Sequence, residues 1–236
     1  MPVLSDKPYN AQLVRPDDPE YVAFMRRMAD RSPSRGGPRA AGEWLGGLVE
    51  QCARLCLAQH VTLIDTRILQ WEQRQKNGRH TTLYRELDAV SEPAPGELCI
   101  FEIKLTTPEN MERGHGIRQL NAASDTMLTA GAAERVSRRL VYIAEEPFDV
   151  LDGLPVVTPD QFDEELGVVW ISPSRIEDAA GILSLDLPPD WLLPESREGV
   201  MEDPEREEWR QFADAAPAES GNSLADALRR AMGGQP

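Results

Sequence analysis

Three ionisable residues, Asp88, Glu102 and Lys104, lie in stretches rich in apolar residues, LYRELDAV and LCIFEIKL. Because side chains alternate between the faces of a strand, Glu102 and Lys104 share one face, roughly 7 Å apart. Carboxylates from adjacent strands can hold a hard cation such as Mg²⁺ or Mn²⁺, with the backbone carbonyl of Ile103 as a further ligand. A lysine beside the cation can position an attacking water and stabilise charge on a phosphoryl group. The residues fit either a site for phosphodiester hydrolysis or a cluster of ion pairs on a solvated sheet face.

Apolar periodicity and turn residues predict the elements that would hold these side chains. In the strand that carries Asp88, we expect Glu86 and Asp88 to share a face. The order helix, three strands in a meander, helix, strand predicts an α/β (α+β) fold with a central mixed sheet of four or more strands flanked by helices. Helices are predicted over 18–31, 43–60, 109–131, 158–166 and 174–183, and strands over 61–71, 81–90, 97–106, 138–146 and 167–172.

Composition divides the chain into four parts. Residues 1–42 are expected to form a loose arm and a helix followed by a basic linker, and residues 43–146 the core. Residues 147–194 are expected to add accessory α/β elements packed on the core. Residues 195–236 read as an acidic, partly disordered tail.

The net charge of −15 is distributed unevenly over the 236 residues. Residues 1–140 carry 19 basic and 18 acidic residues, whereas residues 141–236 carry 6 and 22. The first part is therefore compatible with a nucleic-acid partner, and the acidic part has three readings: a solvating tail, a docking surface for a basic protein, or an autoinhibitory mimic of nucleic acid. The odd number of cysteines, Cys52, Cys56 and Cys99, indicates reduced thiols in the cytoplasm. Neither a signal peptide nor a membrane span is predicted.

The Asp88 strand, the turn and the Glu102-x-Lys104 strand resemble the core motif of the restriction-endonuclease-like PD-(D/E)XK superfamily, including its Mrr-like and nuclease-related-domain branches. The resemblance covers about 43–146 and extends to the predicted order of elements. It implies that Asp88 and Glu102 are metal ligands and that Lys104 positions water. It also implies a catalytic role for Gln119, whose alternative is an ordinary surface position on the second helix.

The resemblance further implies a glutamate in the first helix, and Gly46 with Glu50 fits the Gly-x-x-x-Glu pattern. Glu50 lies away from the centre of that helix's apolar stripe, so solvent exposure is the alternative. Glu43 is the reserve candidate. Glu86 is either a support for the site or an exposed strand residue.

Basic residues flank the start of the second helix, where a nucleic-acid backbone would approach the site. Arg113, His115 and Arg118 are candidate phosphate contacts, and a solvated helix start is the alternative. Arg135, Arg138 and Arg139 form a second basic cluster in the sequence.

We therefore expect a Mg²⁺- or Mn²⁺-dependent nuclease that acts on DNA, with RNA not excluded. The resemblance implies a role in a bacterial restriction or anti-phage system. The second hypothesis is a catalytically silent scaffold of the same fold that docks a protein partner, or a second copy, through its acidic C-terminal region.

Overall fold

The structure, a computed structural model, describes residues 7–31, 38–74, 78–105, 113–147, 150–151, 154–159 and 166–192. In chain order its elements are β1 (Tyr9–Val14), α1 (Pro19–Arg31), α2 (Pro38–Ala58), β2 (Ile68–Arg74), β3 (His80–Glu86), β4 (Ala89–Ala94), β5 (Glu97–Leu105), α3 (Arg113–Thr129), β6 (Arg135–Ile143), β7 (Val150–Leu151), β8 (Leu154–Val157), β9 (Leu166–Ile171) and α4 (Pro173–Leu183).

The strands form two sheets. An antiparallel sheet has the order β1-β2-β3, and a mixed sheet has the order β4-β5-β6-β9-β8-β7. In the mixed sheet β5, β6, β9 and β8 are parallel, while β4 and β7 are antiparallel to their neighbours. Since parallel strands need a crossover, α3 connects β5 to β6. The predicted α+β fold with a mixed sheet flanked by helices is confirmed.

Alternation along β5 determines what covers each face of the mixed sheet. Phe101 and Ile103 face α2 and α4, where they share a core with Leu45 and Ile176. Leu98 and Ile100, of the other parity, face α3 and the antiparallel sheet, where they share a core with Leu120, Met127 and Leu69. Glu102 and Lys104 have this second parity, so they point to the side of α3.

Helix α1 covers the remaining face of the antiparallel sheet. Tyr21 and Phe24 of α1 pack on Tyr84 of β3 and on Ile68 of β2. The order of layers is therefore α1, antiparallel sheet, α3, mixed sheet, and then α2 with α4.

The predicted strand over 81–90 is wrong in one respect that matters for the site. It breaks at Leu87 and Asp88, and its two parts, β3 and β4, belong to different sheets. The Leu87 N–H still donates to the Arg67 carbonyl at 3.0 Å, in register with the β2–β3 ladder, so the chain leaves the first sheet only after Leu87. The predicted three-strand meander is therefore two hairpins, β2–β3 and β4–β5.

Other boundaries also differ from the predictions. Strand β1 lies in the stretch expected to be a loose arm, and α2 begins at Pro38, inside the predicted linker, because proline is suited to a first helical turn. Before β2, Leu63 bridges Ser91 and the Ile64 N–H donates to the Val90 carbonyl at the edge of β4, and β2 begins only at Ile68.

Towards the C-terminus, β8 and β9 extend the same sheet as β5 and β6. Helix 158–166 was predicted, but Leu166 begins β9, and 160–165 lie outside the described residues, as does the tail 195–236. In the described part of the chain, no helix is long and apolar enough to cross a membrane.

Candidate active site

Asp88 occupies the break between the two sheets. Its Oδ2 accepts a hydrogen bond from the backbone N–H of Ile103 at 2.6 Å. β4 begins at Ala89, which pairs with Phe101, so Ile103 lies two residues beyond the last position of β5 that pairs with β4. The carboxylate therefore takes the place of a backbone acceptor. Because the N–H and C=O of one strand residue point to the same side, the Ile103 carbonyl also faces the Asp88 side.

Glu102 and Lys104 lie on the opposite parity of the same strand, facing α3. Lys104 Nζ donates to Glu102 Oε1 at 2.5 Å, and their side chains are 37% and 13% exposed, in that order. A charge pair this sheltered retains more electrostatic strength than one in open solvent. The structure thus brings together Asp88, Glu102 and Lys104, the three residues of the sequence motif.

The start of α3 lies directly over this pair, and Gly116 makes the approach possible. A Cβ built on Gly116 would be 3.6 Å from Lys104 Cε and 3.7 Å from Glu102 Cγ, and only 2.7 Å from Leu140 Cδ1. A larger residue would therefore force the buried Leu140 side chain or the helix itself to shift. One turn later, the Oε1 atom of Gln119 is buried and has no hydrogen-bond partner among the described residues.

Arg85 joins the site although the sequence did not single it out. Its guanidinium donates to the backbone carbonyl of Gln119 at 3.2 Å. Burial lowers the pKa of Arg85, while the nearby Glu102 and Asp88 favour its charged form. In an unbroken strand, alternation would have placed Arg85 on the face opposite to Asp88. The break removes that constraint, so no local signal could have assigned Arg85 to the site.

Glu50 reaches the site from α2. Its Oε1 atom is buried and lacks a hydrogen-bond partner in the described part of the chain. Burial raises the pKa of Glu50 well above its ordinary value, the nearby Asp88 raises it further, and Arg67 opposes the rise. Glu50 is thus placed beside Asp88 and not in solvent. The side chain of Glu43, the reserve candidate, lies outside the described residues.

Glu86 does not share a face with Asp88 as predicted, because Asp88 has left the strand. It faces α1, where it accepts hydrogen bonds from Arg67 at 2.5 Å and from the Tyr21 hydroxyl at 3.3 Å. The side chains of Arg67 and Glu86 are 3% and 8% exposed, so this is a buried ion pair next to the site.

Electrostatic repulsion accumulates around Asp88. Burial raises the pKa of Asp88 to about 7, Glu102 adds to the rise, and Lys104 and the Ile103 N–H oppose it. A divalent cation would relieve this repulsion between carboxylates. No three histidine, cysteine, aspartate or glutamate side chains among the described residues are grouped as a metal site. Mg²⁺ needs only one or two carboxylates and completes its shell with water, so the donors Asp88, Glu102 and the Ile103 carbonyl fit it.

The predicted nucleic-acid contacts are only partly described. Arg118 is exposed on α3, while the side chains of Arg113 and His115 lie outside the described residues although their backbone belongs to the first turn of α3.

The three arginines of the second basic cluster do not share one exposed surface, since Arg135 is exposed and Arg139 is buried. Arg135 pairs with Glu97 at the beginning of β6, Arg138 donates to Asn121 at 2.6 Å, and Arg139 is 1% exposed. Because β6 runs parallel to β5, Arg135 lies roughly 23 Å along the sheet from the level of Lys104.

Comparison with known proteins does not place the chain in a family. No family model matches it, and neither a curated protein nor a solved structure does.

Proposed function

We propose that this chain is a metal-dependent nuclease that hydrolyses phosphodiester bonds of DNA. The observation that carries the proposal is the bond from the Ile103 N–H to Asp88, which fixes a carboxylate next to the Glu102–Lys104 pair. The buried carboxyl of Glu50 lies close to Asp88. Such a concentration of buried acids is unfavourable for folding, and a site that binds a cation supplies a reason for it.

Asp88 and Glu102, with the carbonyl of Ile103, are the residues that would hold Mg²⁺ or Mn²⁺. Bound there, the cation supplies Lewis-acid polarisation of the phosphoryl group and a more acidic water. The contribution of the protein is to bind and orient. The role of Lys104 would be to donate to an attacking water or to a phosphoryl oxygen, and its bond to Glu102 fixes the direction of that side chain.

Arg85 and Gln119 lie next to these residues on the α3 side. Arg85 is always charged and can share its donors between a carboxylate and a phosphate. Gln119 has a buried amide oxygen without a hydrogen-bond partner among the described residues, which a water molecule could satisfy. During hydrolysis, water attacks phosphorus and gives up a proton as the new P–O bond forms, the P–O ester bond breaks, and the leaving oxygen takes up a proton. Arg85 is placed to offset the negative charge that develops.

The test is cleavage of plasmid, linear and single-stranded DNA, and of RNA, with Mg²⁺, Mn²⁺ or EDTA. Wild type should cleave DNA only with metal, and folded Lys104→Ala should lose this activity by at least about 100-fold. Arg135→Ala removes a cation at the other end of the sheet and should retain activity. If wild type and Lys104→Ala cleave DNA equally, the activity comes from a contaminant.

If the wild-type protein cleaves no nucleic acid, a measurement of Mn²⁺ binding distinguishes the remaining explanations. Mn²⁺ binding that disappears in Asp88→Ala would point to an enzyme that requires a partner or activator. No Mn²⁺ binding at all would reject the nuclease proposal and leave the scaffold hypothesis, in which the buried charges only stabilise the arrangement of the two sheets.

A further inference from the structure

Arg67 is a buried arginine next to the candidate active site, and it is not part of the sequence motif formed by Asp88, Glu102 and Lys104. Arg67 precedes β2 and is 3% exposed. Its Nη1 atom donates to Glu86 Oε1 at 2.5 Å and to the Leu87 carbonyl at 3.1 Å. Its own carbonyl accepts from the Leu87 N–H at 3.0 Å. Arg67 therefore contacts both residues that immediately precede Asp88.

These contacts fix the point at which the chain leaves one sheet for the other. On the far side of the break, the pairing of Ala89 with Phe101 fixes the beginning of β4. Only Asp88 lies between the two fixed points. From this position its carboxylate reaches the Ile103 N–H, from which it accepts a hydrogen bond at 2.6 Å.

Stability alone is a weak reason for such a buried pair. Removing two charges from water is costly, and apolar replacements of buried ion pairs are often neutral or stabilising. A guanidinium has a planar fork of donors, so it can bind a carboxylate and a carbonyl at once, which a lysine ammonium does with poorer geometry. The bond to the Leu87 carbonyl is the feature that a simple ion pair would not need.

We propose that Arg67 is a positioning residue of the candidate active site: by bonding Glu86 and Leu87, it holds the sheet-to-sheet break so that Asp88 is presented to Ile103 and to the cation. The functional meaning of this inference rests on the proposed nuclease, whereas the positioning itself can be measured without activity or metal.

The first measurement is amide hydrogen exchange of the full-length, metal-free protein, followed by NMR. In Arg67→Lys and Arg67→Met, the Ile103 amide should exchange about 10- to 100-fold faster relative to Phe101, since a hydrogen bond to a charged acceptor is lost. Ile176→Ala opens a cavity in α4 and is the control for general destabilisation. This variant should increase the exchange rates of the Ile103 and Phe101 amides by the same factor, or change neither rate.

The second measurement is Mn²⁺ affinity of the same folded proteins. Both Arg67 variants should bind Mn²⁺ at least about tenfold more weakly, the usual effect of losing a residue that orients a metal ligand. Glu86→Gln keeps a neutral acceptor for Arg67 and should lie between these variants and wild type.

The two measurements separate the inference from the proposed function. If the ratio of Ile103 to Phe101 exchange is unchanged in both Arg67 variants, the inference is wrong, whatever the metal does. If wild type binds no Mn²⁺ but the ratio rises in the variants, Arg67 positions Asp88 in a protein that is not a metal-dependent nuclease.

Discussion

At the scale of single residues, Asp88 is a carboxyl group whose environment favours the protonated form. Its pKa is raised to about 7, so at neutral pH a proton competes with any cation for the carboxylate. Below that pH, the affinity for Mn²⁺ should therefore rise about tenfold per pH unit, and above it the affinity should level off. Titrations between pH 5 and 8.5 measure this. Asp88→Asn, which does not titrate, should bind weakly at every pH, and a wild-type curve without a bend would contradict the assignment.

The burial of Glu50 destabilises the folded state when its carboxyl is ionised. The folded pKa lies well above the ordinary value, so the folded state holds the proton more tightly. The stability associated with Glu50 is then present near pH 4 and is lost as pH rises. Glu50→Gln should melt a few degrees higher than wild type at pH 8, equal it near pH 4, and bind Mn²⁺ more weakly.

Thermal unfolding in EDTA at both pH values tests this prediction. Glu134→Gln makes the same change at an exposed position and should leave the melting temperature unchanged. A Glu50→Gln protein that melts lower than wild type at pH 8 would mean that the Glu50 carboxylate is favourably paired.

At the scale of elements, helix α3 is placed by a glycine that intrinsic helix propensity disfavours. Alanine in a helix interior is more favourable than glycine by about 1 kcal/mol. At Gly116, however, a Cβ would lie 2.7 Å from Leu140 Cδ1. We expect Gly116→Ala to destabilise the protein by about 1–3 kcal/mol, as overpacking does, and to impair cleavage because α3 moves away from Lys104.

Gly46 in α2 is the matched control, since nothing lies within 4 Å of the position that an added methyl group would take. Gly46→Ala should raise the stability measured by urea unfolding by about 0.5–1 kcal/mol. Adding Leu140→Val to Gly116→Ala should recover part of the loss by making room. If Gly116→Ala is as stabilising as Gly46→Ala, the close approach of α3 does not exist.

Local sequence patterns predict α1, α3, α4 and β5, because the periodicity of apolar residues and the flanking turn residues are enough to specify these helices and this strand. They also placed Asp88, Glu102 and Lys104 together, since a short turn joins their two segments. The break at Leu87 has no local signal: LYRELDAV continues to read as a strand, and only the change of sheet reveals it. For the same reason Arg67 and Arg85 were missed, because their contacts depend on how the two sheets face each other.

At the scale of the whole molecule, charge is arranged unevenly around the site. The cations Lys104, Arg85 and Arg118 lie where β5 ends and α3 begins, but exposed Glu145 and Glu146 follow β6, the next strand, at the same edge of the sheet. Nucleic acid that approaches Lys104 should therefore be attracted by α3 and repelled by the end of β6. Salt screens exposed charges beyond about 10 Å, so only charges near the docking point matter.

Neutralising the repelling pair should consequently tighten DNA binding. We expect Glu145→Gln/Glu146→Gln to bind a short duplex about threefold more tightly in low salt and EDTA, with the gain fading as salt is added. Fluorescence anisotropy measures the affinity without cleavage.

The control double variant, Glu92→Gln/Glu134→Gln, makes the same change of net charge at exposed positions near the start of β5, where the Glu134 N–H donates to the Gly96 carbonyl. It should bind DNA as wild type does. Equal gains in both double variants would show that net charge alone is responsible, and would contradict a docking point at the end of β5.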